Sequence, residues 1–293
     1  MKDEILVSRR HFVATACSSL AFAAWARELK RGYGEILIAH CTDPQLGMGL
    51  PRGGKDGKRP TPEGYENDLR RCLSEIDVIN GIGPDIVCIT GDMANAAKDL
   101  TKDWPRLLKM YNPPLIVAPG NHDVGQSLTA DTVARFKAVF GYDYRAVSVR
   151  GWRIIAVNSM YWRPNGAPTL RAEHDEWLSR EFAEARNRGE KVLVAAHLPP
   201  FVKDPRERDS YENQPLEGRL ARLDAFVDAG VKFYLAGHTH RFSQNAYRGM
   251  PILNAETTSW NFDNRPFGFR LLRIRPDLSY DYDFVSIAKS PRR

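Results

Sequence analysis

The chain has 293 residues, 43% of them hydrophobic and 27% charged. That excludes a fibrous, collagenous or wholly disordered protein and leaves room for one large α/β domain with a sizeable core. Its 42 basic and 36 acidic residues give a formal charge of +6. No basic run is interleaved with aromatics, so no nucleic-acid partner is expected.

At the N-terminus, Ser8-Arg9-Arg10-His11-Phe12-Val13 sets paired arginines ahead of an apolar run from Phe12 to Trp25. The run is short for a bilayer span, which takes about 20 apolar residues. Ala24 and Ala26 flank Trp25 as a small-residue cleavage site. Residues 1–26 therefore read as a twin-arginine-type signal peptide, handled by the twin-arginine export machinery. The mature chain, 27–293, is expected to be periplasmic or secreted, with no stable membrane association after cleavage. Cleavage leaves a charge of about +5, mildly attractive to phosphate-bearing substrates. Cys41, Cys72 and Cys88 remain, an odd trio that predicts no disulfide framework.

Further along, five short apolar runs each end in residues able to bind metal. Ile36–Ala39 leads to Asp43, and Ile86–Ile89 to Gly91-Asp92. Leu115–Val117 leads to Gly120-Asn121-His122-Asp123, Val192–Val194 to His197, and Val231–Leu235 to Gly237-His238-Thr239-His240. Such runs fit strands covered on both faces. Helical patterns separate them: 62–80, opening at Thr61-Pro62 and closing at Gly81; a second between Thr129 and Gly141; a third over about 171–188; a fourth over about 216–229. Two antiparallel pairs stand apart, Tyr144–Val149 with Trp152–Asn158 across Arg150-Gly151, and Gly268–Arg275 with Tyr280–Ile287. The expected fold is α/β, a two-sheet β-sandwich flanked by helices in four α/β/β/α layers. Gly47–Pro60 reads as a mobile loop beside the site.

In open α/β sheets ligands gather beyond the carboxyl ends of the strands, where all five polar clusters fall. Two divalent ions about 3.5–4 Å apart need carboxylate to offset their charge and imidazole or amide to complete their coordination. Asp43, Asp92, Asn121, His197, His238 and His240 supply that chemistry, with His122 beside Asn121. Strand alternation turns His40 away from Asp43, so it is structural, and His174 is assigned to a solvated face at a charged helix start. Arg52, Lys55, Lys58 and Arg59 read either as a phosphate clamp or as a solvated loop. Tyr161, Trp162, Trp260 and Phe262 read either as a leaving-group pocket or as packing.

The ordered series Asp43-Pro44-Gln45, Gly91-Asp92, Gly120-Asn121-His122-Asp123, His197 and Gly237-His238-Thr239-His240 resembles the signature of the calcineurin-like metallophosphoesterase superfamily, over about residues 35–275. Gln45 stands where the usual first motif, Asp-x-His, has histidine. That departure also appears in the calcineurin-like phosphoesterase domain-containing protein 1 branch, which the chain resembles around 120–131 and at Asn158-Ser159. The resemblance implies that 27–293 is a metallophosphoesterase domain holding two divalent metal ions (Mn, Fe, Zn or Mg). It places Asp43, Asp92, His240 and Gln45 on the first ion, and Asp92, Asn121, His197 and His238 on the second. An amide oxygen at Gln45 favours harder ions and predicts a more labile first site.

The implied reaction is hydrolysis of phosphomonoesters by in-line attack of a metal-bridging hydroxide, with His122 as catalytic acid or transition-state stabiliser; Asn95 reads either as its orienting partner or as a loop residue. The substrate is a small-molecule phosphate ester or a phosphoprotein. Two other readings share the ligand set: a cyclic-nucleotide or other phosphodiesterase, and a catalytically weak metal-binding protein on the same fold.

Overall fold

A computed structural model describes residues 32, 34–53, 59–164 and 167–287. The proposed signal peptide, Lys55 and Lys58 lie outside the described residues. The first sheet contains β1 (Ile36–Cys41), β4 (Ile86–Ile89), β5 (Leu115–Val117), β12 (Gly268–Ile274) and β13 (Tyr280–Ser286), in the order β13-β12-β1-β4-β5. The second contains β6 (Arg145–Val149), β7 (Trp152–Ala156), β8 (Lys191–Ala195), β9 (Val231–Ala236), β10 (Ser243–Tyr247) and β11 (Met250–Asn254), in the order β10-β11-β9-β8-β7-β6. Within the Gly47–Pro60 stretch, β2 (Arg52–Gly53) pairs antiparallel with β3 (Arg59–Pro60).

Alternation along the strands assigns each face to a layer. On β1, Ile36 and Ile38 point between the sheets, where they join Ile86, Ile116, Trp152, Ile154, Phe233 and Leu272. Leu37, Ala39 and Cys41 point the other way, against Cys72, Ile76, Trp104 and Phe136. Behind the second sheet, Ile155, Val194 and Tyr234 pack on Leu178, Leu223 and Phe226. This is the expected four-layer α/β/β/α sandwich.

Helices α1 (Pro62–Ile82), α2 (Leu100–Leu107), α3 (Asn121–Val124) and α4 (Ala130–Phe140) accompany the first sheet, and α5 (Pro168–Asn187) and α6 (Arg219–Asp228) the second. Thr61 caps α1, its hydroxyl accepting from the Gly64 N–H. The helix runs through Gly81 and stops instead at Gly83, whose φ of 61° is left-handed. A glycine with room for helical backbone does not by itself end a helix.

His40 is buried, its Nδ1 2.6 Å from the Tyr282 hydroxyl and its Nε2 3.1 Å from the Thr90 hydroxyl, as befits a structural residue. Burial holds its pKa at about 3, and the Arg270 charge pushes the same way. His174 corrects the solvated-face reading. It is buried, with its ring 5.1 Å from Tyr144, 5.3 Å from Tyr161 and 5.6 Å from Trp162, because α5 turns that residue inward onto the aromatics of the preceding loop. Tyr161 and Trp162 are buried in the same packing. Cys41, Cys72 and Cys88 are free and buried.

Candidate metal centre

All five strands with metal-binding ends stop at the same edge of the sandwich. Asp43 and Asp92 follow β1 and β4, and Asn121 opens α3 after β5, so the first sheet brings the carboxylates and the amide. His197 follows β8, and His238 and His240 follow β9, so the second sheet brings the imidazoles. Asp43, Gln45, Asp92, Asn121, His197, His238 and His240 are all buried.

The backbone there is unusual. Asp43, Gln45, Asp92, His238 and His240 have φ of 49°, 37°, 54°, 70° and 51°. Left-handed backbone is uncommon for residues other than glycine and costs energy, so its concentration at one strand edge marks a site held by its surroundings. Gly91, at φ 92°, lets these turns nest; a Cβ there would lie 2.7 Å from His197 Nδ1 and 2.8 Å from the Gly120 nitrogen.

Hydrogen bonds fix where each imidazole keeps its lone pair, because a carbonyl can only accept. His197 Nδ1–H donates to Thr90 O at 2.8 Å, so Nε2 carries the lone pair. His238 Nε2–H donates to Tyr211 O at 2.7 Å, leaving Nδ1. His240 Nδ1–H donates to Trp260 O at 2.5 Å, which turns Nε2 to Asp43, whose charge raises the imidazole's pKa against the effect of burial.

These lone pairs meet other acceptors. His197 Nε2 lies 3.0 Å from His238 Nδ1, 3.0 Å from Asn121 Oδ1 and 3.4 Å from Asp92 Oδ2. Asn121 is oriented for this by its Nδ2, which donates to the Tyr211 hydroxyl at 3.2 Å. Four acceptors this close repel one another unless a cation or a proton lies among them, and imidazole, amide and carboxylate are a cation's ordinary ligands. Asp92, His197 and His238 have ligand atoms within 4.8 Å of one another.

Beside this group, His240 Nε2 is 3.3 Å from Asp43 Oδ1, and Asp43 Oδ1 and Gln45 Oε1 are buried with no hydrogen-bond partner. An unpartnered buried oxygen costs about 1–3 kcal/mol, so two at one spot fit a second cation. The donor set therefore suits two ions.

The charges point the same way. Burial raises the Asp92 carboxyl well above the usual range, with the Asp43 and Asp123 charges adding to it. At Asp43 burial is outweighed by the His240 and His197 imidazoles, which hold the carboxyl below the usual range. Burial lowers His197 to about 4 and holds His238 well below its usual value.

His122 stands slightly apart. Its backbone N–H donates to Asp92 Oδ1 at 2.8 Å, and its Nδ1–H donates to Asn95 at 2.8 Å. The acceptor is the Asn95 backbone carbonyl and not its side chain, so the orienting role does not depend on asparagine. His122 Nε2 is then left 4.0 Å from Asp92 Oδ2, on a side chain 30% exposed.

Sequence reasoning missed several supports. Asp123 ties two turns together, accepting from Met93 N at 2.9 Å and Gly120 N at 2.8 Å. Tyr211 holds Asn121 and His238 from a loop far from either in sequence. Of the residues the sequence did offer as clamp or pocket, Phe262 stacks on His240 at 4.6 Å and 10°, and the Arg52 guanidinium lies 5.7 Å over Trp260, so these three flank the centre.

A buried donor set for two cations at the strand edge of an α/β/β/α sandwich defines a metal-dependent phosphoester hydrolase. The chain belongs to the calcineurin-like phosphoesterase family, whose sequence model matches residues 36–242. It is 29% identical over 264 residues to serine/threonine-protein phosphatase CPPED1 of Bos taurus, covering 86% of this chain and 84% of that protein. It is also 29% identical over 206 residues to a probable cyclic nucleotide phosphodiesterase of Synechococcus, covering 67% of this chain and 74% of that protein. Among solved structures, a dimetal phosphatase from Danio rerio shares the fold with a TM-score of 0.57 at 12% identity, over 87% of this chain and 99% of that one.

Proposed function

We propose that this protein is an exported phosphomonoesterase. The observation that carries the reading is the ring of acceptors around His197 Nε2, beside the unpartnered Asp43 and Gln45 oxygens. Asp43, Gln45, Asp92 and His240 would hold one ion, and Asp92, Asn121, His197 and His238 the other. When bound, such ions lower the pKa of water and offset charge on the phosphoryl oxygens.

The chain's own residues do the rest. Backbone carbonyls of Thr90, Tyr211 and Trp260 keep the three imidazoles turned inward, with His197 and His238 neutral at the inner nitrogen. His122, pinned through Nδ1, keeps Nε2 free to carry a proton to the leaving oxygen.

The phosphatase name of the CPPED1 relatives supports a monoester substrate, small-molecule or phosphoprotein, while the Synechococcus match favours a phosphodiester as the second reading. Paired Arg9-Arg10 ahead of the Phe12–Trp25 run supports twin-arginine export to the periplasm or medium. The test is turnover of p-nitrophenyl phosphate against bis-p-nitrophenyl phosphate during Mn²⁺ titration, with elemental analysis. Faster monoester turnover at two bound ions is expected. Diester preference selects the second reading, and no turnover at full loading rejects both. Fractionation of cells expressing the full chain should find it exported, and Arg9→Lys with Arg10→Lys should retain it inside.

A further inference from the structure

Arg163 approaches the centre just after the 3₁₀ turn Ser159–Trp162. Its Nη2 donates to the Tyr211 carbonyl at 2.8 Å, and its guanidinium lies 5.6 Å over the Tyr211 ring. Its Nε is buried with no hydrogen-bond partner. Among the described residues no carboxylate forms an ion pair with it, yet the Asp92 carboxyl and the His238 imidazole both feel its charge. Among the described residues no partner takes its Nη1 either, and a half-buried guanidinium with that outer donor to spare is an anion receptor, since leaving a charged donor unpaired is costly and phosphate oxygens match the guanidinium fork. Its place is fixed as well. The Tyr211 carbonyl that takes Arg163 Nη2 also takes His238 Nε2, and the Tyr211 hydroxyl takes Asn121 Nδ2.

We propose that Arg163 binds a non-bridging oxygen of the substrate phosphoryl group and thereby selects phosphomonoesters over diesters. The inference rests on the phosphoesterase reading of the same centre. A monoester offers three non-bridging oxygens and two negative charges near neutral pH; a diester offers two oxygens and one charge. With two oxygens turned towards the ion-binding atoms, only a monoester has a third for Arg163. No bond is made or broken at Arg163; it acts by charge and by its hydrogen-bond fork.

The test uses the full metal-loaded chain and its Arg163→Met and Arg163→Lys variants. Metal content, binding of inorganic phosphate by calorimetry, and kcat/KM for p-nitrophenyl and bis-p-nitrophenyl phosphate are measured. Arg163→Met should keep its metal and bind inorganic phosphate roughly ten- to a hundredfold more weakly. It should lose a similar factor on the monoester and a clearly smaller one on the diester. Arg163→Lys should recover part of the phosphate affinity. Unchanged phosphate affinity overturns the proposal, as does an equal loss on both esters accompanied by loss of metal, which would make Arg163 only a brace for Tyr211. A wild-type protein idle on both esters would sink the phosphoesterase reading instead, and the phosphate-binding arm would still decide on Arg163.

Discussion

His122 occupies a position where chemistry and metal binding separate cleanly. Its Nδ1 is committed to the Asn95 carbonyl and its Nε2 stands 4.0 Å from Asp92, outside the close contacts that join His197, His238 and Asn121. His122→Ala should therefore keep both ions and lower kcat by about 10²- to 10⁴-fold, the usual worth of acid–base help. Loss of metal in that variant, read by elemental analysis, would make His122 a ligand. A different residue governs stability. Burial raises the Glu75 carboxyl on α1 from 4.5 to about 7, against the opposing Cys41 hydrogen bond. The neighbouring Cys41, Cys72 and Tyr111 are pushed upward by burial and stay neutral, so Glu75 is the group that titrates there. Its folded-state pKa is above its unfolded one, so the folded protein binds the extra proton between pH 4.5 and 7. Stability should fall as pH rises through that window, by on the order of 3 kcal/mol, and level off above it. Glu75→Gln should lack this loss, so its urea midpoint should gain on wild type between pH 5 and pH 8; a constant offset would refute the assignment.

Among elements, the turns that end the strands carry the site, and their glycines set how closely they approach. A Cβ on Gly237 would lie 2.6 Å from Asp43 Oδ2 and would also collide with the Thr42 hydroxyl. Both atoms belong to the turn after β1, so Gly237→Ala must push the two sheets' turns apart. It should cost about 1–3 kcal/mol, as overpacking does, and weaken metal retention. Gly230→Ala is the control: its φ is 88° but a Cβ there meets nothing within 4 Å, so it should strain its turn and retain metal. Equal metal content in the two variants would dissociate the turn contact from the site. The strands bearing these turns were legible because each is a continuous apolar run that stops at a polar cluster. The β10–β11 hairpin was not, because Ser243–Tyr247 is a polar edge strand with no apolar run. Nor was α2, where Pro105 interrupts the helical pattern while Trp104, buried and donating Nε1–H to Met93 O at 2.9 Å, anchors the segment. Tyr211 and Arg163 left no local signal, since their roles arise only when two loops meet over the centre.

For the whole molecule, the division of labour between the sheets makes the ions a clamp. Asp43, Asp92 and Asn121 hang from the first sheet, and His197, His238 and His240 from the second. The packing between the sheets, from Ile36 and Ile38 to Trp152 and Phe233, does not involve the ions. Chelation should therefore loosen one edge without unfolding the domain. An ion present at a hundred times its dissociation constant stabilises by about 2.7 kcal/mol, so stripping the metal should lower Tm by several degrees, and adding Mn²⁺ should restore it. Hydrogen exchange should locate the effect. The turns at 43–45, 91–93 and 237–240 should exchange faster after chelation, while the central residues of β1 and β8 should stay protected. Burial keeps His197 and His238 neutral, and His240 alone cannot offset both buried carboxylates, so without ions the edge must take up further protons or open. Unaltered Tm and unaltered exchange in those turns would mean that the two sheets hold the cluster together unaided, and that the side chains gathered there are not bound through a shared cation.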